Sequence, residues 1–132
     1  MSMMIEIRTT SQKQFANITR EVQSAVTESG IDNGICVVYV PHTTAGVTVN
    51  EAADPSVAED AQNTLRELVP RTARYSHAEG NADSHIQSIL VGPSVSLIVE
   101  GGRLALGTWQ GVFFCEFDGP RSRTAIVQCV PG

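Results

Sequence analysis

The sequence contains three histidines, and their neighbours suggest metal chemistry. His42 ends a strongly apolar run, whereas His77 and His85 lie in the stretch HAEGNADSH, which also holds carboxylates and a glycine. Imidazole and carboxylate groups are the usual ligands of zinc and similar divalent ions. Three histidines from separate elements, with one coordination position left open, would resemble a catalytic metal site. We therefore predict a divalent metal site, for zinc or magnesium, at His42, His77 and His85, although their spacing matches no strict metal motif.

The segment HTTAGVTVNE places an acid and a base at its two ends, His42 and Glu51. Glu51 continues the alternation of Val47 and Val49, so its carboxylate is expected on the apolar face of a strand. A carboxylate on such a face requires a partner. We expect the strands on either side of the HTTAG turn to form a hairpin that brings Glu51 to His42. The opposing interpretation is that His42 is only a hydrogen-bonded structural residue.

The stretch GTWQGVFFCEFDGPRSR combines a strand with acidic and basic residues. Strand alternation places Cys115 between phenylalanines, so it is expected to be a buried hydrophobic residue and not a nucleophile. Glu116 and Asp118 fall together on the other face, where they would repel each other unless a cation lies between them. Arg121 and Arg123 follow directly, and arginine binds carboxylate or phosphate with two parallel hydrogen bonds.

Other side chains suit a phosphorylated ligand. Arg103, after a Gly-Gly turn, is a further arginine of the same kind, and Trp109 offers an aromatic surface. The helix that starts near Asn81 has free backbone N–H groups that could receive a phosphate. Asp83 counts against this use, because its own charge would occupy those donors.

Hydrophobic periodicity predicts the elements that position these groups, namely seven strands and three helices in one mixed α+β domain over residues 1–132. The first helix is expected from Asn17 to Gly30. The second is expected from about Pro55 to Pro70, with Ser56 and Glu59 as a capping box. The third is expected in ADSHIQSILVG, capped by Asn81, with its buried side chains listed here: Ile86, Ile89 and Leu90.

Composition excludes several classes of protein. A chain of 132 residues is long enough for one hydrophobic core. Its net charge of −5 gives no electrostatic footprint for nucleic acid. No apolar run approaches the roughly 20 residues of a membrane helix, and the start lacks the features of a secretory signal. With three unpatterned cysteines, a cytoplasmic location is expected.

Three stretches, HTTAGVTVNEAADPSV, HAEGNADSHI and GGRLALGTWQGVFFCEFDGPRSR, resemble the YjbQ-like family, and the resemblance extends over nearly the whole chain. Members of that family are commonly labelled secondary thiamine-phosphate synthases. The resemblance implies a two-sheet β-sandwich of seven strands with inserted helices, assembled as a homotrimer. It also implies that the following residues fall in signature stretches of the family: His42, Glu51, His77, Asn81, His85, Trp109, Gln110, Glu116, Asp118 and Arg121.

The activity implied by the resemblance is a transferase reaction that joins hydroxymethylpyrimidine diphosphate to thiazole phosphate and releases pyrophosphate. Such chemistry requires Mg²⁺ or arginines on the pyrophosphate and an aromatic surface for the pyrimidine. The expected ligand is thus a small phosphorylated metabolite. The expected catalytic residues are His42, Glu51, His85 and Arg121. The expected substrate-binding residues are Asn81, Arg103, Trp109, Gln110 and Arg123.

Three alternatives remain at this point. The chain could be a trimeric module that binds a metal or an anion without turnover. It could be a metal-dependent hydrolase, in which zinc lowers the pKa of a bound water. Finally, the polar residues could only stabilise the core of a trimer, because polar networks can fix the geometry of an assembly.

Overall fold

The computed structural model describes residues 2–132, and its elements confirm the α+β class. Within these residues it has eight strands and not the expected seven, because the short strand β2 was not predicted. The elements are β1 (Ser2–Arg8), β2 (Gln14–Asn17), α1 (Thr19–Ser29), β3 (Gly34–Tyr39), β4 (Ala45–Glu51), α2 (Pro55–Leu68), α3 (Ala82–Val91), β5 (Ser94–Glu100), β6 (Arg103–Leu104), β7 (Gln110–Glu116) and β8 (Ser122–Pro131).

The strands form two antiparallel sheets, a five-stranded one in the order β1-β8-β3-β5-β6 and a three-stranded one in the order β2-β7-β4. The predicted hairpin between β3 and β4 is therefore wrong, because these two strands belong to different sheets. The chain crosses between the sheets over residues 40–44. Val40 and Val47, on either side of the crossing, donate backbone hydrogen bonds to Pro93 and Gly92. His42 consequently lies at the junction of the two sheets.

The main hydrophobic core lies between the sheets and is completed by α1, whose Val22 and Val26 are fully buried. Strand β7 is buried on both faces from Gly111 onward. Phe114 points into the main core, whereas Phe113 and Cys115 face a smaller apolar cluster on the α2 side. Cys115 is thus the buried hydrophobic residue that alternation predicts.

The first two helices start and stop close to the predicted residues. The side chain of Asn17 accepts a hydrogen bond from the Thr19 N–H, and Gly30 ends α1 with a φ of 75°, a conformation that favours glycine. The cap of α2 is Asp54, whose carboxylate accepts the Ser56 N–H, so the predicted Ser56–Glu59 capping box is wrong. No helix within residues 2–132 has the length and apolar character needed to cross a membrane.

Helix α3 lies with its polar side inward, which is the reverse of the prediction. Its buried residues include Asp83, Ser84 and Gln87, whereas Ile89 is 78% exposed. The cause is Lys13, whose ammonium group bonds the side chains of Asp83 at 2.9 Å and Gln87 at 2.8 Å. A buried carboxylate requires a cation, and this one pairs with a residue 70 positions away in sequence.

Candidate functional site

A polar pocket of about 430 Å³ opens where the crossing segment 40–44, the start of α3 and the β7–β8 turn meet. A second depression of about 340 Å³ adjoins it, shares His42 and His85, and adds Ile89 and Pro93. The structure therefore brings several predicted residues together from distant parts of the chain. The ionisable and amide side chains of the polar pocket are His42, Glu79, Asn81, His85, Asp118, Arg121 and Arg123.

His42 is held in the neutral form with a defined tautomer. Its Nε2 accepts the backbone N–H of Thr124 at 3.0 Å, so the ring proton is on Nδ1. Burial lowers the pKa of His42 below its ordinary value, and the positive charge of Arg123 lowers it further. Nδ1 has no hydrogen-bond partner within residues 2–132. In this tautomer His42 presents its Nδ1–H as a hydrogen-bond donor.

An ion pair beneath the pocket, between Arg123 and Glu116, supplies that positive charge. Nε of Arg123 donates to Glu116 at 2.8 Å, its Nη2 contacts the other carboxylate oxygen, and Nη2 also donates to the Thr44 hydroxyl at 2.8 Å. Burial alone would raise the pKa of Glu116, but hydrogen bonds from Arg123, Asp118 N–H and Thr9 outweigh it, so this pKa is lowered. Arg123 thus supports the pocket, and its Nε and Nη2 donors are bonded to protein.

The second predicted carboxylate, Asp118, is paired with Arg121 at 3.1 Å. It also accepts a hydrogen bond from the side-chain amide of Asn81 at 2.9 Å. Each carboxylate is therefore paired with one arginine, Glu116 with Arg123 and Asp118 with Arg121. Unlike Arg123, Arg121 is about half exposed, and its guanidinium group faces the pocket with only two N–H groups bonded to protein.

His77 and His85 are neighbours, but the structure does not support the predicted metal site. Their rings stack edge to face with centroids 5.1 Å apart, and His77 Nε2 hydrogen-bonds the side chain of Asn81 at 2.9 Å. The ring nitrogens of His85 have no hydrogen-bond partner in the described part of the chain. Among residues 2–132, no three His, Cys, Asp or Glu side chains are grouped so that they could hold a metal ion. The metal-binding prediction for His42, His77 and His85 is corrected accordingly.

Four predicted site residues lie away from this pocket. Glu51 pairs with Gln110 at the far end of β4 and β7, while Glu116 pairs with Ala45 at the near end. At about 3.3 Å per residue, the two ends are roughly 20 Å apart. Glu51 accepts the Ala53 N–H, so the expected pairing with His42 is absent. Trp109 precedes Gln110 at this far end.

Arg103 is also remote from the pocket. It pairs with Glu100 at the end of β5, whereas the pocket lies beyond the start of β5, where Ser94 pairs with Tyr39. The β5 strand thus separates Arg103 from His42.

Three supporting residues were not predicted from the sequence, namely Thr9, Thr44 and Lys13. Thr9 and Thr44 bond the buried ion pair from opposite sides, and Lys13 holds α3 in place. Threonines near turns carry no distinguishing signal. Lys13 did carry one, because it is the single lysine of the chain among nine basic residues.

Comparison with protein families gives a match over almost the whole chain. Residues 3–132 match the family model described as UPF0047 protein YjbQ-like. A UPF0047 protein of Methanocaldococcus jannaschii is 50% identical over 125 residues, covering 95% of this chain and 91% of the relative. The UPF0047 protein YugU of Bacillus subtilis is 48% identical, covering 94% of this chain and 95% of the relative.

Solved structures agree with the fold. A protein of Clostridium acetobutylicum, described as an uncharacterized conserved protein of the YjbQ/UPF0047 family, superposes with a TM-score of 0.95 at 46% identity, covering 97% of this chain and 99% of that one. A Sulfolobus solfataricus protein, described as YbjQ-like and of unknown function, also gives 0.95, at 32% identity, covering 100% of this chain and 97% of that one.

These findings contradict the predicted activity. The two sequence relatives are described as UPF0047 proteins and the Sulfolobus solfataricus protein as YbjQ-like and of unknown function, and none of the three as a thiamine-phosphate synthase. The thiamine-phosphate synthase and transferase assignments are therefore wrong. The alternatives of a metal- or anion-binding module without turnover and of a metal-dependent hydrolase gain no better support from these descriptions.

Proposed function

The chain belongs to the UPF0047 YjbQ-like family, and the descriptions of the relatives compared with it name no activity. We therefore propose a function from the pocket itself. The pocket recognises a small phosphorylated metabolite and holds a histidine, His85, in position for proton transfer to or from it. The observation that carries the proposal is the convergence of one partly unoccupied arginine and two histidines on a single pocket.

Arg121 is the group proposed to contact the phosphate. A guanidinium group has five N–H donors, and those of Arg121 that bond protein are Nε, to the Asp118 carbonyl, and one on Nη2, to its carboxylate. Asp118 therefore orients Arg121 and leaves its other N–H donors available to a ligand. Arginine with free parallel donors is suited to bidentate phosphate contacts.

The two histidines are proposed to have different roles. Nδ1–H of His42 donates to a ligand oxygen, because its Nε2 is already engaged by Thr124. His85 has both ring nitrogens available and lines both depressions. A neutral imidazole has one nitrogen that donates a proton and one that accepts, so His85 is the group suited to exchange a proton with the ligand.

Thermal stabilisation by ligands tests this proposal. A panel of phosphorylated sugars and nucleotides, each with its dephosphorylated counterpart, is added to the purified protein. A ligand at about 100 times its Kd stabilises by about 2.7 kcal/mol, which raises the Tm by roughly 5–10 °C. Arg121→Gln should abolish the shift, whereas Arg66→Gln on the outer side of α2 should retain it. Equal shifts with the dephosphorylated compounds, or an unchanged shift in Arg121→Gln, would refute phosphate recognition at this site.

We also propose that the chain assembles as a homotrimer, which the family resemblance implies. Two separate apolar surfaces support this. One is the outer face of the larger sheet, where Ile35 pairs with both Val130 and Ile98 and all three are about half exposed. The other is the outward side of α3, with Ile89 and Leu90. A cyclic trimer needs two different, complementary surfaces, because its contacts run head to tail.

In such a trimer the pocket would lie beside a subunit boundary, because Ile89 of the α3 surface also lines the depression next to His85. A cytoplasmic location belongs to the same proposal. Its support is that Cys36, Cys115 and Cys129 are buried thiols in a chain without a disulfide framework.

A further inference from the structure

A second cleft, separate from the histidine pocket, lies between α2 and the outer face of the smaller sheet. Its volume is about 320 Å³, within the range of small-molecule sites. Phe15 and Phe113 form its floor on the sheet, and Ala58, Ala61 and Leu65 form its roof on α2. We propose that this cleft is a binding site for a small amphiphilic cation, namely a molecule with an apolar ring and a positively charged amine.

The cleft is built into the fold, because α2 is held at both ends. At its start, Asp54 caps the helix, and Ala52 N–H bonds the carbonyl of Trp109. At its end, the buried amide of Gln87 donates to the carbonyls of Leu65 and Val69. Between these anchors the helix contributes no buried residue. Ala58 and Leu65 are only partly buried against the apolar cluster of the sheet, so the middle of α2 leaves space for the cleft.

The chemistry of the lining determines the kind of ligand. The walls are mostly apolar, and two aromatic rings on one side suit a flat apolar group. The one ionisable side chain in the lining is Glu51, with Asn50 and Thr48 beside it. No basic residue lines the cleft. An acid at the mouth of an apolar cleft favours a ligand with a cationic end and disfavours an anionic one.

This placement gives Glu51 a role that the histidine pocket does not. One carboxylate oxygen of Glu51 accepts the Ala53 N–H at 2.8 Å, which fixes the side chain. The other oxygen has no hydrogen-bond partner in the described part of the chain. Glu51 is thus positioned to bind an amine at the mouth of the cleft while the ring lies between Phe113 and Ala61.

Calorimetric titration with three related probes tests the proposal, using 1-naphthylmethylamine, 1-naphthylmethanol and 1-naphthoate. The amine is expected to bind with a Kd below about 1 mM, the alcohol more weakly and the carboxylate least. Glu51→Gln should weaken the amine about fivefold and leave the alcohol unchanged, whereas Glu67→Gln on the outer side of α2 should change neither. Absence of saturable binding, or equal binding of all three probes, would overturn the proposal.

The location of binding is tested by filling the cleft. Ala61→Phe should weaken the amine by about tenfold or more, because its ring occupies the ligand's space, whereas Glu67→Phe on the same helix should not. If Ala61→Phe does not fold, the amide chemical shifts of the wild-type protein decide. Shifts on addition of the amine must centre on residues 48–51 and 58–65, and shifts centred on His42 and His85 would overturn the assignment. The amine and the alcohol carry no anionic group, so their binding does not depend on phosphate recognition in the histidine pocket.

Discussion

The neutral state of His42 depends on the groups that surround its two ring nitrogens. Nε2 is committed to Thr124 N–H, and the buried Arg123 lies behind the ring. Protonation would place a second positive charge next to Arg123 and break the bond from Thr124. The same residues therefore define the tautomer, the charge and the direction of the remaining donor.

This arrangement predicts how stability depends on pH. Because the pKa of His42 is lowered from 6.5 in the folded protein, the unfolded chain binds more protons just below that value. Stability should therefore fall as the pH drops below about 6.5, until the lowered folded pKa is passed. His42→Gln, whose amide oxygen can still accept the Thr124 N–H, should lose this part of the slope. Urea unfolding between pH 7.5 and 5 measures it, and an unchanged slope in the variant would assign the titration to another group.

The Glu116–Arg123 pair leads to a second prediction at this scale. Glu116→Gln leaves the buried guanidinium without its counter-charge and should cost about 3–5 kcal/mol. Asp118→Asn, which disrupts the half-exposed pair with Arg121, should cost less than about 1 kcal/mol. Urea unfolding at pH 7 compares the two variants. Since the pKa of Glu116 is lowered from 4.5, the pair's contribution is present above that pH and is lost as the pH falls through the lowered folded value. Similar costs for both variants at pH 7 would contradict the buried-pair account.

At the scale of elements, the sequence predicted the existence of helices and most strands better than their partners. Alternation divided the residues of β7 correctly between its two faces, because that signal is local. The turn after β3 does not reveal which sheet receives the next strand, so the β3–β4 hairpin was mispredicted. The inward side of α3 was also mispredicted, since its orientation depends on Lys13, which is remote in sequence.

In the candidate site, too, the sequence predicted the residue types better than it predicted which of them lie together. His42, His85 and Arg121 converge although they are far apart in sequence. Glu51 and Gln110 lie in continuous motifs with His42 and Glu116, and this continuity predicts a common site for all four. Yet a strand of seven residues separates its two ends by roughly 20 Å. A motif that spans a whole strand therefore contributes its two ends to different sites.

The role of Lys13 in orienting α3 gives the prediction at this scale. Lys13→Met leaves the carboxylate of Asp83 buried and unpaired, which should cost about 3–5 kcal/mol. Adding Asp83→Asn should recover a large part of that loss, because the charge is removed. Chemical denaturation of the single and double variants measures this coupling. Additive losses in the double variant would show that the two residues act independently.

At the scale of the whole molecule, two exposed apolar surfaces account for the proposed trimer. Ile98→Lys on the sheet and Ile89→Glu on α3 should each convert the assembly to monomers, because a head-to-tail ring uses both surfaces at every contact. Ser24→Lys, on the exposed side of α1, should leave the assembly intact. Size-exclusion chromatography with light scattering measures the mass. A monomeric wild-type protein would refute the assembly, and a trimer that survives both substitutions would place its contacts elsewhere.

The burial of β7 on both faces has a consequence for how the molecule opens. Between Phe113 and Glu116 it is paired with β2 on one side and β4 on the other, so solvent can reach these amides only when the smaller sheet separates. In deuterium labelling they should exchange last, at the rate set by global unfolding. The amides of α2, which buries no residue, should exchange far earlier. The histidine pocket, whose Asp118 follows β7 directly, would then be anchored to the slowest-opening part of the chain, and the apolar cleft would be roofed by one of the fastest.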